Sequence, residues 1–283
     1  MTSWFPYLGL GSPQFLHYQS APAILTGLAG LVAGPDVAFR WSLYLLWCLW
    51  PIAIYGSARV LGLNRGAAAG AAVVAPLLHS IQGIGYEQHA YVWAGFGVWT
   101  QLWASWALPF AWTLTWRTLA DKRFIAPAAG LIALTAAFHY ETGYLAFGGI
   151  VVMAPLVHRG LGPRLARGSM LLGVALAASA WVVVPLIAFS RWAAINEALA
   201  AGPSASGFGA RTTLSWLITG RTTYGELASV IPGQADVFFR RFLMGTQLAG
   251  IYPAGVGVAA IAAESKLLAR RCTRLRPTRS PVR

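Results

Sequence analysis

Apolar residues along this chain are gathered into blocks separated by short polar segments, and eight such blocks can be counted. Four of them hold about 20 residues or more, the length that a helix needs to cross a hydrocarbon core of ~30 Å. The other four are shorter and suit half-spanning or re-entrant segments. The long blocks are residues 39–58, 91–116, 169–189 and 242–263, and the short blocks are residues 16–32, 67–81, 125–138 and 142–157.

These blocks predict α-helices, because they lack the alternation of apolar and polar residues that a barrel strand needs. Inside lipid, a helix satisfies its backbone polar groups within one segment. Composition agrees with this interpretation, since 57% of the residues are hydrophobic and only 10% are charged, against about a quarter in soluble domains. We predict an all-α, polytopic transmembrane helical bundle of about seven or eight apolar helices, including short or re-entrant ones.

Charged residues predict an orientation for this bundle. If all eight blocks cross, the side that carries the C-terminus holds 15 Lys and Arg residues and the opposite side holds 6, which accounts for all 21. The positive-inside rule then makes the C-terminal side cytoplasmic. We predict one transmembrane domain over residues 1–263, with an extracytoplasmic loop at about 190–241, and a disordered basic cytoplasmic tail over residues 264–283. The side on which residues 1–38 lie stays open.

The formal net charge of +13 has a simple interpretation. Seven of the Lys and Arg residues lie in the tail, and such a flank contacts anionic lipid headgroups. Membrane lipids are therefore predicted partners. Nucleic acid is not, because no aromatic residue interleaves the arginines of the tail to stack on bases.

Two groups of ionisable residues stand at block ends on the predicted extracytoplasmic side: Glu87 with His89, and His139 with Glu141. Ionisable side chains at membrane depth are costly, and they mark functional sites by default. A Glu beside a His can supply a general base or ligands for a divalent cation. We predict that these four candidate catalytic residues converge on one cavity. The alternative is that each group separately faces interfacial water, and no diagnostic metal spacing is present.

Tryptophans recur at helical spacing in the fourth block, at Trp99, Trp103 and Trp106, followed by Phe110. This stripe predicts a packing or lipid-facing surface. The alternative is a platform on which a sugar ring stacks.

Several short motifs carry a resemblance to a known family. Their order resembles bacterial polytopic proteins described as 6-pyruvoyl-tetrahydropterin synthase-related membrane proteins, which are similar to GT-C superfamily glycosyltransferases. The resemblance covers most of residues 10–190 and implies no pterin chemistry. The motifs are FLHYQSAP at 15–22, AFR at 38–40, ARVLGL at 58–63, ALPFA at 107–111 and WVVVPL at 181–186.

The resemblance implies a GT-C-like fold and a transferase that takes sugar from a polyprenyl-phosphate donor on the extracytoplasmic face of a bacterial plasma membrane. Within its motifs, Arg40 is expected to contact the phosphate, and His17 and Tyr18 are expected to contact substrate. The family keeps a catalytic acid in its first extracytoplasmic loop, whereas no acid precedes Asp36 in this chain. An N-terminally truncated chain, a misassigned start or a non-catalytic protein would each explain that departure. A transporter or flippase of a lipid-linked or small polar substrate, and a non-catalytic membrane subunit, are the alternative functions.

Overall fold

The computed structural model describes residues 4–5, 12–13, 19–77, 98–156, 160–188 and 243–274; in the last range, side chains are described at 245 and 248–265. Within these residues the chain is helical apart from short connections and one short antiparallel pair, β1 (Trp4–Phe5) with β2 (Ser12–Pro13). The α-helices are α1 (Ala21–Ala33), α2 (Pro35–Cys48), α3 (Trp50–Leu61), α4 (Arg65–Val74), α5 (Trp99–Ala120), α6 (Ile125–Phe138), α7 (Tyr140–Met153), α8 (Leu161–Ala188) and α9 (Leu243–Arg274), and 3-10 turns follow at Ala75–Leu77 and Lys122–Phe124.

Local sequence explains where several helices begin and end. Gly62 ends α3 at a φ of 105°, a left-handed conformation that glycine adopts without strain. The side chain of Asn64 then accepts a hydrogen bond from the amide of Ala67 and caps α4. Gly34, at a φ of 85°, separates α1 from Pro35, which starts α2 at a position where a missing N–H costs nothing.

The second apolar block forms two helices instead of the one that the block predicts. Helices α2 and α3 meet at Leu49 with a bend of 49°. Pro51 follows in the first turn of α3, where it cannot donate the backbone hydrogen bond that a continuous helix would require. The bend therefore follows from a proline that lies inside an otherwise uninterrupted apolar run.

Helix α5 lies at the centre of the bundle, against α3, α6, α7 and α8. Its packing residues include Leu102 and Leu108, which are fully buried. Helix α3 runs parallel to it, since Trp50 donates to the carbonyl of Ser105 near one end and Arg117 donates to the carbonyl of Val60 near the other.

Helices α6 and α7 form a hairpin joined by the single residue His139. Each helix has 14 residues, a length of about 21 Å that falls short of a ~30 Å hydrocarbon core. The two helices reverse direction so closely that a Cβ added at Gly143 would lie 2.8 Å from the Cα of Ala136. The predicted short pair therefore packs as one compact unit against α5.

Helices α4 and α9 make the closest helix pair. Gly66 approaches Ala259, and Gly70 approaches Gly255, so the two helices are antiparallel. Small residues on both helices permit this approach, as in membrane helix pairs generally. Helix α9 continues to Arg274, into the segment that the sequence predicts to be disordered, because good helix formers such as Leu267 and Leu268 continue the pattern.

Membrane spans can be assessed from helix length and composition among the described residues. Leu161–Ala188 and Leu248–Ser265 are long and apolar enough to cross a membrane, with mean hydropathies of 2.3 and 1.3, and the bent pair α2–α3 adds a third span if it counts as one. Helix α5 is not among them, because it carries buried polar residues such as Thr100 and Gln101. The helical fold is confirmed, and a bundle of seven or eight spans stays a prediction.

The bundle has two distinct ends. At one, which we call the basic end, Arg117 links α5 to α3, Arg167 links α8 to α5, and Arg164 links α8 to the end of α7. The opposite end, which we call the hairpin end, holds Trp99 and His139. The predicted loop at 190–241 lies outside the described residues. The described cations of the basic end are Arg59, Arg65, Arg117, Lys122, Arg123, Arg164 and Arg167.

Candidate functional site

The turn of the α6–α7 hairpin is built around an extended residue. His139 has φ −158° and ψ 118°, so it ends α6 and begins α7. Its amide donates to the carbonyl of Thr135 at 2.9 Å, and its carbonyl accepts from the amide of Gly143 at 2.8 Å. Both backbone groups of this buried, non-helical residue are therefore satisfied inside the protein, which is the condition for such a residue at membrane depth.

The His139 side chain caps the first turn of α7 and is only 3% exposed. Its Nδ1 atom accepts from the amide of Thr142 at 3.3 Å and lies 2.9 Å from the Thr142 hydroxyl oxygen. Because Nδ1 acts as an acceptor, the neutral ring carries its hydrogen on Nε2. That hydrogen therefore points away from the cap.

Glu141 is the group that Nε2 of His139 meets. The Oε2 atom of Glu141 lies 3.9 Å from Nε2, and the side chain of Glu141 is 17% exposed. The separation is that of an ion pair when the ring is protonated. A carboxylate taken out of water is costly, so its presence in this position favours a functional role.

The position of α8 shows how deep the His139–Glu141 pair lies within the bundle. Val182 packs in the same apolar cluster as Phe138, the residue before His139. Helix α8 continues beyond Val182 to Ala188, which extends it by about 9 Å. The His139–Glu141 pair therefore lies below the end of the apolar helix and inside the bundle.

A row of aromatic rings leads from the hairpin to α2. The ring centroids of Phe138 and Trp103 are 5.4 Å apart, those of Trp103 and Trp99 are 6.4 Å apart, and those of Trp99 and Phe39 are 5.1 Å apart. Arg40 follows Phe39 and is exposed on α2. Arg40 and His139 thus share one end of the bundle, with the aromatic row between them.

Arg40 also lines an open groove of about 500 Å³ along α2. Arg40 is the one charged residue of its lining, and the remainder is aromatic and apolar. The lining residues are Arg40, Trp41, Tyr44, Leu45, Cys48 and Leu49. A groove of this kind matches a lipid chain that ends in an anionic group.

The tryptophan stripe contributes mainly to packing. The indole of Trp99 donates to the Ser42 hydroxyl oxygen at 3.0 Å, and the indole of Trp106 donates to the Leu46 carbonyl at 2.6 Å. These bonds join α5 to α2. They favour the packing interpretation over a platform for sugar stacking at Trp99 and Trp106.

Three polar atoms near the hairpin were not among the predicted site residues. Oε1 of Gln19, Oγ1 of Thr100 and Nε1 of Trp103 are buried and have no hydrogen-bond partner in the part of the chain that the structure describes. Gln19 is 6% exposed and lies two residues before Ala21, which packs in the cluster of Phe138. Buried polar atoms without partners mark places where water or a ligand supplies the bond. In the sequence, the only indication of these residues as site candidates is that polar residues lie inside or beside an apolar block.

The predicted convergence of two ionisable groups stays a prediction, because only one of the groups lies within the described residues. His139 and Glu141 come together, whereas Glu87, His89, His17 and Tyr18 lie outside the described residues. Among the residues with described side chains, no group of three His, Cys, Asp or Glu residues can hold a metal ion. The predicted divalent cation would need ligands beyond the two that the hairpin provides.

No family model, curated protein or solved structure matches this chain. The chemistry of the site therefore rests on its own geometry. A buried carboxylate beside an imidazole can accept a proton from a hydroxyl group. An exposed arginine above an apolar groove can neutralise a phosphate.

Proposed function

We propose that this protein is a membrane-embedded glycosyltransferase of the cell envelope that uses a polyprenyl-phosphate-linked sugar. The observation that carries the proposal is the buried His139–Glu141 pair at the apex of a helix hairpin. Arg40 and the α2 groove at the same end of the bundle support the choice of a lipid-phosphate donor. The family resemblance of the sequence motifs points to the same chemistry.

Glu141 acts as the general base in the proposed reaction. Its carboxylate accepts the proton of an acceptor hydroxyl, and the hydroxyl oxygen forms a bond to the anomeric carbon of the sugar. The bond between that carbon and the phosphate oxygen breaks, and polyprenyl phosphate leaves with the bonding electrons. His139, 3.9 Å from Glu141, stabilises the carboxylate before the proton moves.

Arg40 and the α2 groove hold the donor. The polyprenyl chain lies along the apolar lining of the groove, and Arg40 balances the charge of the phosphate. Near the hairpin, Oε1 of Gln19 accepts a hydrogen bond from a sugar hydroxyl group, and the indole of Trp103 donates one.

The proposed orientation places the basic end in the cytoplasm and the hairpin end on the extracytoplasmic side. The clustering of seven described cations at one end supports it, since cytoplasmic flanks carry an excess of Lys and Arg. Polyprenyl-phosphate sugars on the outer face would then reach Arg40 without crossing the membrane again.

A second candidate is a transporter or flippase for a lipid-linked substrate. The bend between α2 and α3 and the short α6–α7 hairpin favour it, because transporters form their sites from broken helices. This function would move the substrate and leave its sugar–phosphate bond intact.

The test uses the full-length protein in nanodiscs with undecaprenyl phosphate carrying a radiolabelled hexose or pentose. The measurement is release of the sugar from the lipid fraction, in the presence of an extract of cell-envelope glycans as acceptor. We expect release by the wild type and a loss of about 100-fold or more in Glu141→Gln, which removes the base. Glu264→Gln, an exposed carboxylate in α9, is the matched control and should keep wild-type activity.

Equal release by wild type and Glu141→Gln would exclude the proposed mechanism. Movement of intact lipid-linked sugar between leaflets, with no release of sugar, would favour the transporter instead.

A further inference from the structure

Four cations from three segments of the chain meet at one corner of the basic end. They come from the last turns of α5, the turn before α6 and the first turns of α8. Arg167 reaches across the corner, and its Nη1 atom donates to the carbonyls of Leu119 and Ala120, each at 2.9 Å. The four residues, which we call the basic corner, are Arg117, Lys122, Arg123 and Arg167.

The Phe124 ring makes cation–π contacts with two guanidinium groups of the basic corner. The Cζ atom of Arg117 lies 4.9 Å from the centroid of the Phe124 ring, and the Cζ atom of Arg123 lies 5.8 Å from it. Cation–π contacts at this range are attractive and fix the positions of both side chains. The corner is therefore a built arrangement of charges and differs from a random scatter of surface residues.

The charge of the basic corner is poorly balanced by the protein. Asp121 is the one acid at this corner among the described residues, and it pairs with Arg123. A hydrogen bond from the Arg123 amide lowers the pKa of Asp121, so this carboxylate is ionised at neutral pH. Four cations and one anion leave a net charge of +3 at the corner. Like charges held this close favour binding of an anion.

Arg164, nearby on α8, shows what a purely structural arginine looks like in this protein. It is 9% exposed, and it donates to the carbonyls of Ala154, Pro155 and Gly160. In contrast, Arg123 is 76% exposed, and the bonds of Arg117 and Arg167 to carbonyls come from Nη1 alone. The basic corner thus presents guanidinium donors to its surroundings, whereas Arg164 is buried and directs its donors to backbone carbonyls.

Apolar surface lies directly beside the basic corner. Met170 and Val174 are exposed on α8, three and seven residues after Arg167, so they follow it along the same face of the helix. Helix α8 is also the most apolar candidate span of the described residues. A ligand that suits both features has an anionic head and an apolar chain.

We propose that the basic corner binds the phosphate headgroup of an anionic phospholipid in the leaflet at the basic end. The guanidinium groups hold the phosphate, and the exposed face of α8 contacts an acyl chain. Basic sites between transmembrane helices bind anionic headgroups in this way. The site is independent of the proposed transferase, because it lies at the opposite end of the bundle.

The test measures thermal unfolding of the purified full-length protein in a neutral detergent with added phosphatidylglycerol or phosphatidylcholine. We expect phosphatidylglycerol to raise Tm more than phosphatidylcholine does. In the double variant Lys122→Gln/Arg123→Gln, this difference should fall to less than about half of its wild-type value, because a weaker ligand stabilises less. The double variant Arg59→Gln/Arg65→Gln removes the same charge from the same end and should keep the difference.

Three results would overturn the proposal. One is an equal Tm gain with the two lipids, and another is an equal loss in both double variants, which would indicate a diffuse charge effect. The third is a full Tm gain with inorganic phosphate alone, which would indicate a site for free anions. The lipid site is supported if phosphatidylglycerol alone gives the Tm gain and if only the Lys122→Gln/Arg123→Gln variant loses it.

Discussion

The two ends of the bundle use polar residues for different purposes. At the basic end, arginines donate to the last carbonyls of helices, as Arg164 does at the end of α7 and Arg167 at the end of α5. At the hairpin end, His139 and Glu141 lie inside the bundle and face each other. Cations that close helix ends stabilise the fold, whereas a buried carboxylate costs stability. In our proposal, the basic end maintains the structure and the hairpin end carries the chemistry.

The largest expected effect comes from the α4–α9 contact, which anchors α9 to the bundle. In Gly255→Ala, the new Cβ would lie 2.6 Å from the Cα of Ala71 and 2.7 Å from the carbonyl oxygen of Ala67. Because these atoms belong to the backbone, the helices must separate, and we expect a loss of about 3 kcal/mol in unfolding free energy. Gly257→Ala meets nothing within 4 Å and is the matched control. Similar denaturation curves for the two variants would contradict this packing.

A similar pair of variants probes the hairpin end. In Gly143→Ala the new Cβ would lie 2.8 Å from the Cα and the Cβ of Ala136, which forces α6 and α7 apart. We expect a loss of about 1–3 kcal/mol, measured by thermal or denaturant unfolding in detergent. Gly148→Ala has open space at its Cβ and should unfold like the wild type. An unchanged stability in Gly143→Ala would mean that the hairpin is more open than described.

Arg164 and His139 allow the two ends to be compared directly. Arg164→Gln leaves buried carbonyls without their donor, and we expect it to cost about 1–3 kcal/mol. His139→Asn keeps an acceptor for the Thr142 amide, so the cap of α7 survives and the loss should stay near 1 kcal/mol. The same variant removes Nε2 from Glu141, and we expect kcat for sugar release to fall about 10-fold or more. If Arg164→Gln and His139→Asn lost the same stability and His139→Asn kept the wild-type kcat, the two ends would not differ in the proposed way.

The smallest effect concerns Asp121. A hydrogen bond from the Arg123 amide holds the pKa of this carboxylate below its usual value in the folded protein. A lowered pKa means that the stabilisation is present above that value and is lost as the pH falls through the folded-state pKa. We expect Tm to decline slightly below pH 4 in the wild type, with a smaller decline in Asp121→Asn. The measurement is Tm between pH 3 and 5, and an identical slope in both proteins would contradict the assignment.

Much of the order of helices could be predicted from the apolar blocks. The details that could not be predicted arise from contacts between distant residues. The block at 125–138 predicts α6 with its observed bounds. Its neighbour α7 begins two residues earlier than its block, because the His139 ring caps the helix and Tyr140 and Glu141 join its first turn. The bend at Leu49 was missed, since apolar content alone does not register a proline at 51.

The candidate site could be predicted only in part for the same reason. His139 and Glu141 stand out in the sequence because ionisable residues are rare within apolar segments. Gln19 becomes a candidate only when folding brings Ala21 and Phe138 into one cluster, and no local pattern records that contact. Glu87 and His89 stay predicted members of the site.

The most direct test of the account is the sidedness of the two ends in intact cells. The background variant lacks Cys48 and Cys272, and single cysteines replace Asp36 near the start of α2, Arg65 at the start of α4 or Lys122 in the α5–α6 turn. A membrane-impermeant maleimide should label Asp36→Cys in intact cells, and should label Arg65→Cys and Lys122→Cys only after lysis. Labelling of both basic-end cysteines in intact cells, with Asp36→Cys protected until lysis, would place the hairpin end in the cytoplasm and contradict the account.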